Sequence, residues 1–486
     1  MCFPPVIRTD IKIEPDASRV LIRPFIPSSH RIIKILARVA TQSDAEVDAH
    51  LKKIFADFEG RHIQVKKTFL GRYDSIKPHQ FTDVVPSPER RMLIGAYFTS
   101  EYSLESAALF NPSIVPYPDQ TSLESGSIRF IMSLRAVGEG HLSSITFRTG
   151  VIDANHRITV TAPTRFVNSP VPITNSRFSS HVLRQKCMDM TFRNEYTDSV
   201  FDMLPETFTM IDVEKAMKDL HNSRPAFSQA HFNTRQNLKW IIEANYDVTF
   251  TSDIPMEGRC LFPNASAEKH GIEDARFVRF VDDDQSVSYY ATATAWDGKN
   301  MLSQIIETDD FQLFKIRTLN GEAVQNKGMA LFPRKIGGKY AMLGRQDNEN
   351  IYLMYSSTPQ FWRDSECIVK PACPWEFYQI GNCGSPIETD EGWLVITHGV
   401  GAMRRYAIGA LLLDLDDPSK VIGRSRMPIL IPNENEREGY VPNVVYSCGS
   451  MIHGGKLVLP YAMSDYATRI ALVNLPQLLS WLKRGY

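Results

Sequence analysis

The 486-residue chain has no uninterrupted apolar run that approaches the ~18 residues a helix needs to cross a bilayer. Its first residues, Met1 to Pro5, also lack the charged and apolar regions of a secretory signal peptide. The first absence argues against a membrane-spanning protein and the second against a secreted one. We therefore expect a cytoplasmic protein without a membrane partner.

An excess of charge is lacking as well. The 54 Lys and Arg residues nearly balance the 55 Asp and Glu residues, and no basic block stands out. Because nucleic acids and anionic membranes bind clustered positive charge, we expect neither of them as a partner.

Cysteine is scarce, and the seven residues are scattered along the chain. They form no C-x-x-C pair, and there is no His cluster at metal-ligand spacing. We predict reduced, mostly packed thiols, no bound metal and no cofactor. The cysteines are Cys2, Cys187, Cys260, Cys367, Cys373, Cys383 and Cys448.

What the sequence does contain is a pattern of short strands and tight turns that recurs roughly every 55 residues. In the best-preserved copy, residues 276–280 lead through the acidic turn 282–284 into residues 289–295. Further copies start near residues 111, 329, 386 and 442, which gives five. Repeated units of three or four strands are typical of a five-bladed β-propeller. A β-sandwich with coincidental turn spacing is the alternative.

Two regions do not follow this rhythm. Residues 1–95 contain a capping box that starts at Ser43, followed by apolar residues at helical spacing, which predicts an amphipathic helix ending near Gly60. The sequence pattern also predicts helices over residues about 180–245, which are inserted between the first two repeats. The fold expectation is thus an all-β, five-bladed propeller (residues 96–475) with an N-terminal extension (1–95), a helical insertion and a C-terminal helix (476–486). The insertion either caps a site or packs on the rim.

Polar residues end the second strand of each repeat, where blades of a propeller would converge on the axis. A polar residue at the end of one strand is usually only exposed to solvent. Five strands that all end in polar residues indicate a shared functional site. The residues are Arg135, Thr292 with Thr294, Arg345, His398, and Ser464 with Asp465.

Two groups of residues suggest chemistry. Asp274, beside Glu273, could act as a general acid if burial raised its pKa, whereas nearby Arg276 would favour the carboxylate. An ion pair that holds a blade edge is the equally open alternative. The second group, rich in cations and hydrogen-bond donors, suits a phosphate; it consists of Arg345, His398, Arg404, Arg405 and Tyr406.

Five motifs, in this order, resemble glycoside hydrolase family 130, the β-mannoside phosphorylases and related β-mannosidases. The resemblance covers roughly residues 100–475 outside the insertion. The motifs are residues 271–276 (Gly-Ile-Glu-Asp-Ala-Arg), 344–347 (Gly-Arg-Gln-Asp), 392–400, 409–418 and 441–445.

The resemblance implies a five-bladed propeller that cleaves β-mannosidic bonds with inversion, usually with phosphate, to release α-mannose 1-phosphate. It places the single catalytic acid at Asp274, whose proton would pass through the 3-hydroxyl of the mannosyl unit. Ala275 replaces the usual Pro of the motif. The implied phosphate site is Arg345, His398 and Tyr406, with Arg404 or Arg405. The implied mannosyl contacts are Asn111, Ser113, Arg135 and Asp465, to which we add Glu273 and Arg276.

These observations favour a phosphate-dependent β-mannoside phosphorylase with a β-mannoside oligosaccharide and inorganic phosphate as substrates. An inverting β-mannosidase is the second hypothesis, and it would need Glu388, Glu376 or Asp347 as a base. A sugar-binding propeller without catalysis is the third. Members of the family commonly assemble, so the resemblance leaves a homo-oligomer open.

Overall fold

The computed structural model describes residues 4–79, 85–174 and 176–484. Antiparallel β-sheet dominates, and five sheets contain four strands or more. We number these sheets 1 to 5 in the order in which they follow one another along the chain. Within the described ranges, no helix is both long and apolar enough to cross a membrane.

Sheet 1 consists of Ala108–Pro116, Ile128–Val137, Ser143–Ile152, Cys260–Leu261 and Ile158–Val160. Sheet 2 consists of Ile272–Val281, Val287–Trp296, Met301–Thr308, Leu313–Thr318, Tyr246–Thr249 and Val171–Pro172. Sheet 3 consists of Ala330–Leu331, Tyr340–Gly344, Ile351–Ser356 and Ser365–Val369. Sheet 4 consists of Gln379–Asn382, Gly392–Val400, Tyr406–Leu413, Val421–Arg424 and Ile387–Thr389. Sheet 5 consists of Val445–Tyr446, Lys456–Met463, Ala467–Asn474, Val6–Ile13 and Met451–His453. Two smaller sheets contain Thr99–Ser103, Val20–Pro24 and Phe166–Val167, and Phe178–Ser179 with Thr207–Phe208.

The apolar core lies between successive sheets. One buried cluster joins sheets 1 and 2, another joins sheets 2 and 3, and two more join sheets 3 with 4 and 4 with 5. A fifth cluster packs Val458 and Ile470 of sheet 5 against Ile114 and Met132 of sheet 1. Every large sheet is therefore packed on two others through its apolar side chains, which explains long buried runs such as Gly392–Val400.

The sequence pattern predicts long strands in all five sheets, but it does not predict Met301–Thr308, Ala467–Asn474 or the N-terminal strand Val6–Ile13. Val6–Ile13 pairs antiparallel with Ala467–Asn474 and so forms the outer strand of sheet 5. The pairing joins the two ends of the chain, and a local pattern carries no signal for such a distant partner.

Ten α-helices lie in the described residues. The predicted helix after Ser43 is confirmed as Asp44–Phe58, where the Ser43 hydroxyl accepts from Glu46 N and the Glu46 carboxylate accepts from Ser43 N. The extension also contains Ser29–Ala40, Val65–Ile76 and Pro88–Tyr97, which we did not predict. The insertion contains Ser180–Asp189, Glu195–Asp202, Met210–Ser223, Pro225–Ala230 and Phe232–Glu243, and the predicted C-terminal helix is Leu475–Arg484.

The six described cysteines are all free, which confirms the prediction of reduced thiols for them. Cys2 lies outside the described residues.

Candidate active site

Two irregular strands bring Asp274 and Asn111 together. The pairing of Ile272–Val281 shifts register between Glu273 and Arg276, and that of Ala108–Pro116 shifts in the same way around Asn111. Asp274 (φ +55°) and Asn111 (φ +50°) both adopt the left-handed conformation there. Bulges of this kind redirect side chains out of a sheet. As a result, Asn111 Nδ2 donates to Asp274 Oδ1 at 2.6 Å.

Arg135 holds both acidic residues of the motif. Its Nη2 lies 2.7 Å from Glu273 Oε1, and its Nη1 lies 3.4 Å from Asp274 Oδ1. Ser143 Oγ accepts a hydrogen bond from Arg135 Nε at 2.9 Å and so fixes the guanidinium. Lys327 Nζ lies 3.7 Å from the other oxygen of Glu273.

The pKa of Asp274 is lowered. Burial raises it, but the attraction of Arg135, Lys327 and Arg276 and the hydrogen bond from Asn111 outweigh burial. In the free protein the carboxylate form is therefore favoured, as we expected, but Arg135 and Lys327 contribute more to this than Arg276 does. Burial and the negative charge of Asp274 raise the pKa of Asp465 to about 6.

Arg276 and Ser113 support the backbone on either side of the motif. Arg276 is 2 % exposed and donates to the carbonyl oxygen of Asp274 at 2.9 Å, to that of Cys383 at 3.1 Å and to the Tyr446 hydroxyl at 2.8 Å. Ser113 Oγ accepts from Phe277 N at 3.0 Å. Both residues thus fix the geometry around Asp274, and their predicted contact with substrate stays a prediction.

A buried cation lies on the far side of Tyr446. Arg345 Nη1 lies 2.9 Å from His398 Nε2, and because a guanidinium only donates, the imidazole nitrogen accepts. Burial and the charge of Arg345 lower the pKa of His398 well below its usual range, so this histidine is neutral. Among the residues that the structure describes, no carboxylate lies within ion-pair distance of Arg345. Its positive charge is therefore available to an anion.

Aromatic rings link the surroundings of Asp274 to those of Arg345. The Tyr446 ring lies 4.8 Å from the His398 ring, and its hydroxyl accepts from Arg276. Tyr406 stacks on His398 at 6.1 Å, and the guanidinium of Arg404 lies 5.9 Å from the Tyr406 ring. One continuous set of contacts thus leads from Asp274 to Tyr406.

The structure brings most of the predicted residues together. Asn111, Arg135, Glu273 and Asp274 form one hydrogen-bonded group. Asp465 is close enough to Asp274 and Arg135 to interact electrostatically with both.

The remaining predicted residues divide into two groups. Arg345, His398 and Tyr406 form the cluster described above, with Arg404 at its edge. Arg405 is exposed, and no contact within the described part of the chain joins its side chain to that cluster.

The sequence did not predict two residues of the site, Tyr446 and Lys327. Tyr446 directly follows the motif at residues 441–445, and that position was the only available signal. Lys327 lies in the connection between sheets 2 and 3, where a single lysine gives no signal of its own.

Comparison with known proteins identifies the family. A family model described as beta-1,4-mannooligosaccharide phosphorylase matches residues 250–484. A beta-1,2-mannobiose phosphorylase of a Thermoanaerobacter species is 35% identical over 212 residues, which are 43% of this chain and 68% of that protein. The chain belongs to glycoside hydrolase family 130. The resemblance of the five motifs to this family is thereby confirmed.

Another relative matches a shorter part of its own length. A 1,2-beta-oligomannan phosphorylase of a Thermoanaerobacter species is 41% identical over 152 residues, so the match spans 31% of this chain and about half (51%) of that protein. Among solved structures, a beta-1,2-mannobiose phosphorylase from Listeria innocua in complex with beta-1,2-mannobiose aligns with a TM-score of 0.45 and 20% identity, over 79% of this chain and 94% of that one.

The family 130 match begins at residue 250 and therefore covers sheets 2 to 5, apart from Tyr246–Thr249 and Val171–Pro172 of sheet 2 and the N-terminal strand of sheet 5. Asp274, Arg345, His398 and Asp465 lie inside it. Arg135, like Asn111, lies outside it, and its place in the site rests on the geometry.

Proposed function

We propose that the protein is an inverting β-mannoside phosphorylase, which cleaves a β-mannosidic bond with inorganic phosphate and releases α-mannose 1-phosphate and an acceptor sugar. The observation that carries this proposal is the buried Arg345, whose hydrogen-bond partner is a neutral histidine instead of a carboxylate. Phosphate is already an anionic nucleophile and needs positioning by cations, whereas water needs a base.

In this proposal Asp274 is the general acid, and Asn111, Arg135 and Asp465 hold the mannosyl unit. Arg345, His398 and Tyr406, assisted by Arg404, hold phosphate, whereas no contact of the exposed Arg405 within the described residues supports the same role for it. Lys327, next to Glu273, contributes positive charge near Asp274. Binding of the phosphate anion would offset the cations that lower the pKa of Asp274, so that the carboxyl group takes up the proton it must deliver.

The names of the relatives support a β-1,2-linked mannoside as the substrate, since both Thermoanaerobacter proteins are named for such compounds. We propose β-1,2-mannobiose and its longer homologues as the first compounds to test.

The cyclic packing of the sheets supports a five-bladed β-propeller as the catalytic domain, over residues 96–475 together with the strand Val6–Ile13. The rest of residues 1–95 would be an extension, and the C-terminal helix predicted over residues 476–486 would follow the propeller. We retain a cytoplasmic location and a homo-oligomer as proposals that a cell fractionation and a sedimentation experiment would test.

The contacts of the candidate bases weigh against a hydrolase. Glu388 forms an ion pair with Arg334 at 2.6 Å. Glu376 accepts from Ala372 N at 2.9 Å and also binds Arg424. Asp347 caps a turn by accepting from Asn350 and Tyr352, and hydrogen bonds of this kind outweigh burial and lower its pKa to about 2. Each carboxylate is engaged in holding its own loop.

The decisive experiment incubates the protein with β-1,2-mannobiose in the presence and absence of phosphate and follows mannose and mannose 1-phosphate. We expect mannose 1-phosphate only when phosphate is present. Asp274→Asn should lower the rate by about 10²-fold or more, because it keeps the shape and removes the proton. Asp284→Asn, at an exposed turn, is the control.

Release of two mannose molecules without phosphate would establish a hydrolase instead. Sugar binding without any turnover would establish a binding protein.

A further inference from the structure

The N-terminal strand reaches the loop that borders the candidate site. Arg8, on Val6–Ile13, lies with Nε 3.0 Å from Glu436 Oε1 and with Nη2 3.2 Å from Glu436 Oε2. Its Nη2 also donates to the carbonyl oxygen of Ile431 at 2.7 Å. A forked contact of this kind fixes both partners more firmly than a single charged contact does. Arg8 lies outside the region that the family model matches.

Glu436 is 1 % exposed and links this arginine to the core of sheet 5. Its carboxylate accepts from the Tyr461 hydroxyl at 2.7 Å and from Asn433 N at 3.1 Å. Its own carbonyl oxygen accepts from Ser464 Oγ at 2.7 Å. One residue therefore connects the N-terminal strand with the turn that carries Asp465.

That turn is strained. Ser464 (φ +47°) and Asp465 (φ +52°) are consecutive left-handed residues, and neither is glycine. Such conformations persist only where the surroundings impose them. Besides the bond from Ser464 Oγ to Glu436, the carbonyl oxygen of Ser464 accepts from Val441 N at 3.0 Å. The loop around Glu436 thus holds the turn through two hydrogen bonds.

We propose that Arg8 and Glu436 are positioning residues for the sugar subsite, which hold the Ser464–Asp465 turn in its strained conformation and so place the Asp465 carboxylate toward Arg135 and Asp274. The inference rests on the proposed function, because it assigns Asp465 to the mannosyl unit. Arg345 directly follows Tyr340–Gly344 of sheet 3, His398 lies in Gly392–Val400 of sheet 4, and the two side chains are held by each other. The effect should therefore fall on the mannoside and spare phosphate.

The test measures KM for β-1,2-mannobiose and for inorganic phosphate in Arg8→Met, which keeps an unbranched side chain and removes the fork. We expect KM for mannobiose to rise about tenfold, since small displacements of positioned groups cost large factors, while KM for phosphate changes less than about twofold. Arg8→Lys should fall between wild type and Arg8→Met.

Lys12→Met is the matched control on the same strand, because Lys12 pairs only with the exposed Glu14 among the residues described. Both constants should stay within about twofold of wild type in this variant. If Arg8→Met changed both constants equally, or neither, the proposal would be overturned.

A second variant separates positioning from stability. Arg8→Met alone leaves Glu436 buried without its cation, which can destabilise the fold. In Arg8→Met/Glu436→Gln that charge is gone, so we expect the melting temperature to recover while KM for mannobiose stays raised. Recovery of both would show that the pair only stabilises the protein and would overturn the proposal.

Calorimetric titration of wild type and Arg8→Met with β-1,2-mannobiose in the absence of phosphate gives a readout without turnover. If wild type bound the sugar in this titration but released no mannose 1-phosphate after phosphate was added, the proposed phosphorolysis would fail. A weaker affinity in Arg8→Met would still support the positioning role, and an equal affinity would contradict it.

Discussion

At the scale of the residue, the site contains two carboxyl groups whose pKa values move in opposite directions. Cations and a hydrogen bond outweigh burial at Asp274 and lower its pKa. At Asp465, burial and the neighbouring negative charge raise the pKa to about 6. Between pH ~4 and ~6 the pair therefore holds one proton, mainly on Asp465. In the proposed mechanism, substrate must reverse this distribution before Asp274 can act as the acid.

The opposite shifts predict opposite effects on stability. Since the pKa of Asp465 is raised in the folded protein, its contribution favours folding only at low pH and is lost as pH rises toward about 6. Above that pH, ionised Asp465 opposes folding by up to about 3 kcal/mol. We expect Asp465→Asn to raise the melting temperature at pH 8 and to have a smaller effect at pH 4, as measured by calorimetry.

Asp274→Asn is the matched comparison and should have the reverse sign. The lowered pKa of Asp274 means that its ionised form stabilises the fold above the ordinary pKa of aspartate, ~3.9, and that this contribution disappears as pH falls through the folded value. The variant should melt at a lower temperature than wild type at pH 8. A change of the same sign in both variants would contradict the assigned shifts.

At the scale of the element, the sequence predicts strands and helices that have a clear local pattern of apolar and capping residues. Gly392–Val400 stands out as an apolar run after a turn, and Asp44–Phe58 as a helix after a capping box. The helix Ser29–Ala40 also carries a signal, because Ile32, Leu36 and Val39 follow helical spacing, but it lacks a side-chain cap and was missed.

The part of the candidate site that could be predicted consists of residues at equivalent positions in the repeated strand pattern. Arg135, Arg345, His398 and Asp465 all occur near the ends of second strands, so one rule found them together. Lys327 follows no such rule, because its approach to Glu273 depends on how the connection between sheets 2 and 3 folds. No local pattern encodes that path.

The helical insertion is tied to this same connection, which leads to a prediction. Lys186 is buried, and its Nζ donates to the carbonyl oxygen of Leu319 at 2.7 Å. Nearby, Gly321 N donates to Asp189 Oδ2 at 2.6 Å. Lys186→Met keeps the apolar stem but leaves the carbonyl unpaired. The free energy of unfolding in urea should fall by about 1–3 kcal/mol.

Lys215→Met, on the exposed face of Met210–Ser223, is the control and should unfold like wild type. If Lys186→Met were as stable as this control, the hydrogen bond to Leu319 would not hold the insertion in place.

At the scale of the whole molecule, the two ends of the chain complete one sheet. Val6 packs against the core between sheets 4 and 5, and Ile11 and Ile13 pack against the core between sheets 5 and 1. The strand Val6–Ile13 also covers the edge of Ala467–Asn474. An uncovered edge strand offers unpaired backbone groups to other chains and promotes aggregation.

Removal of residues 1–14 should therefore destabilise the entire protein instead of loosening one end. Loss of the partly buried Val6, Ile11 and Ile13 alone should cost about 3 kcal/mol, and the open edge should make the protein aggregate. A synthetic peptide of residues 4–14, added in trans, should raise the melting temperature and reduce light scattering, because it can pair with Ala467–Asn474 again. A scrambled peptide of the same composition should do neither. If the truncated protein melted at the wild-type temperature and stayed monodisperse without any peptide, the closure of sheet 5 by the N-terminal strand would contribute nothing to the fold.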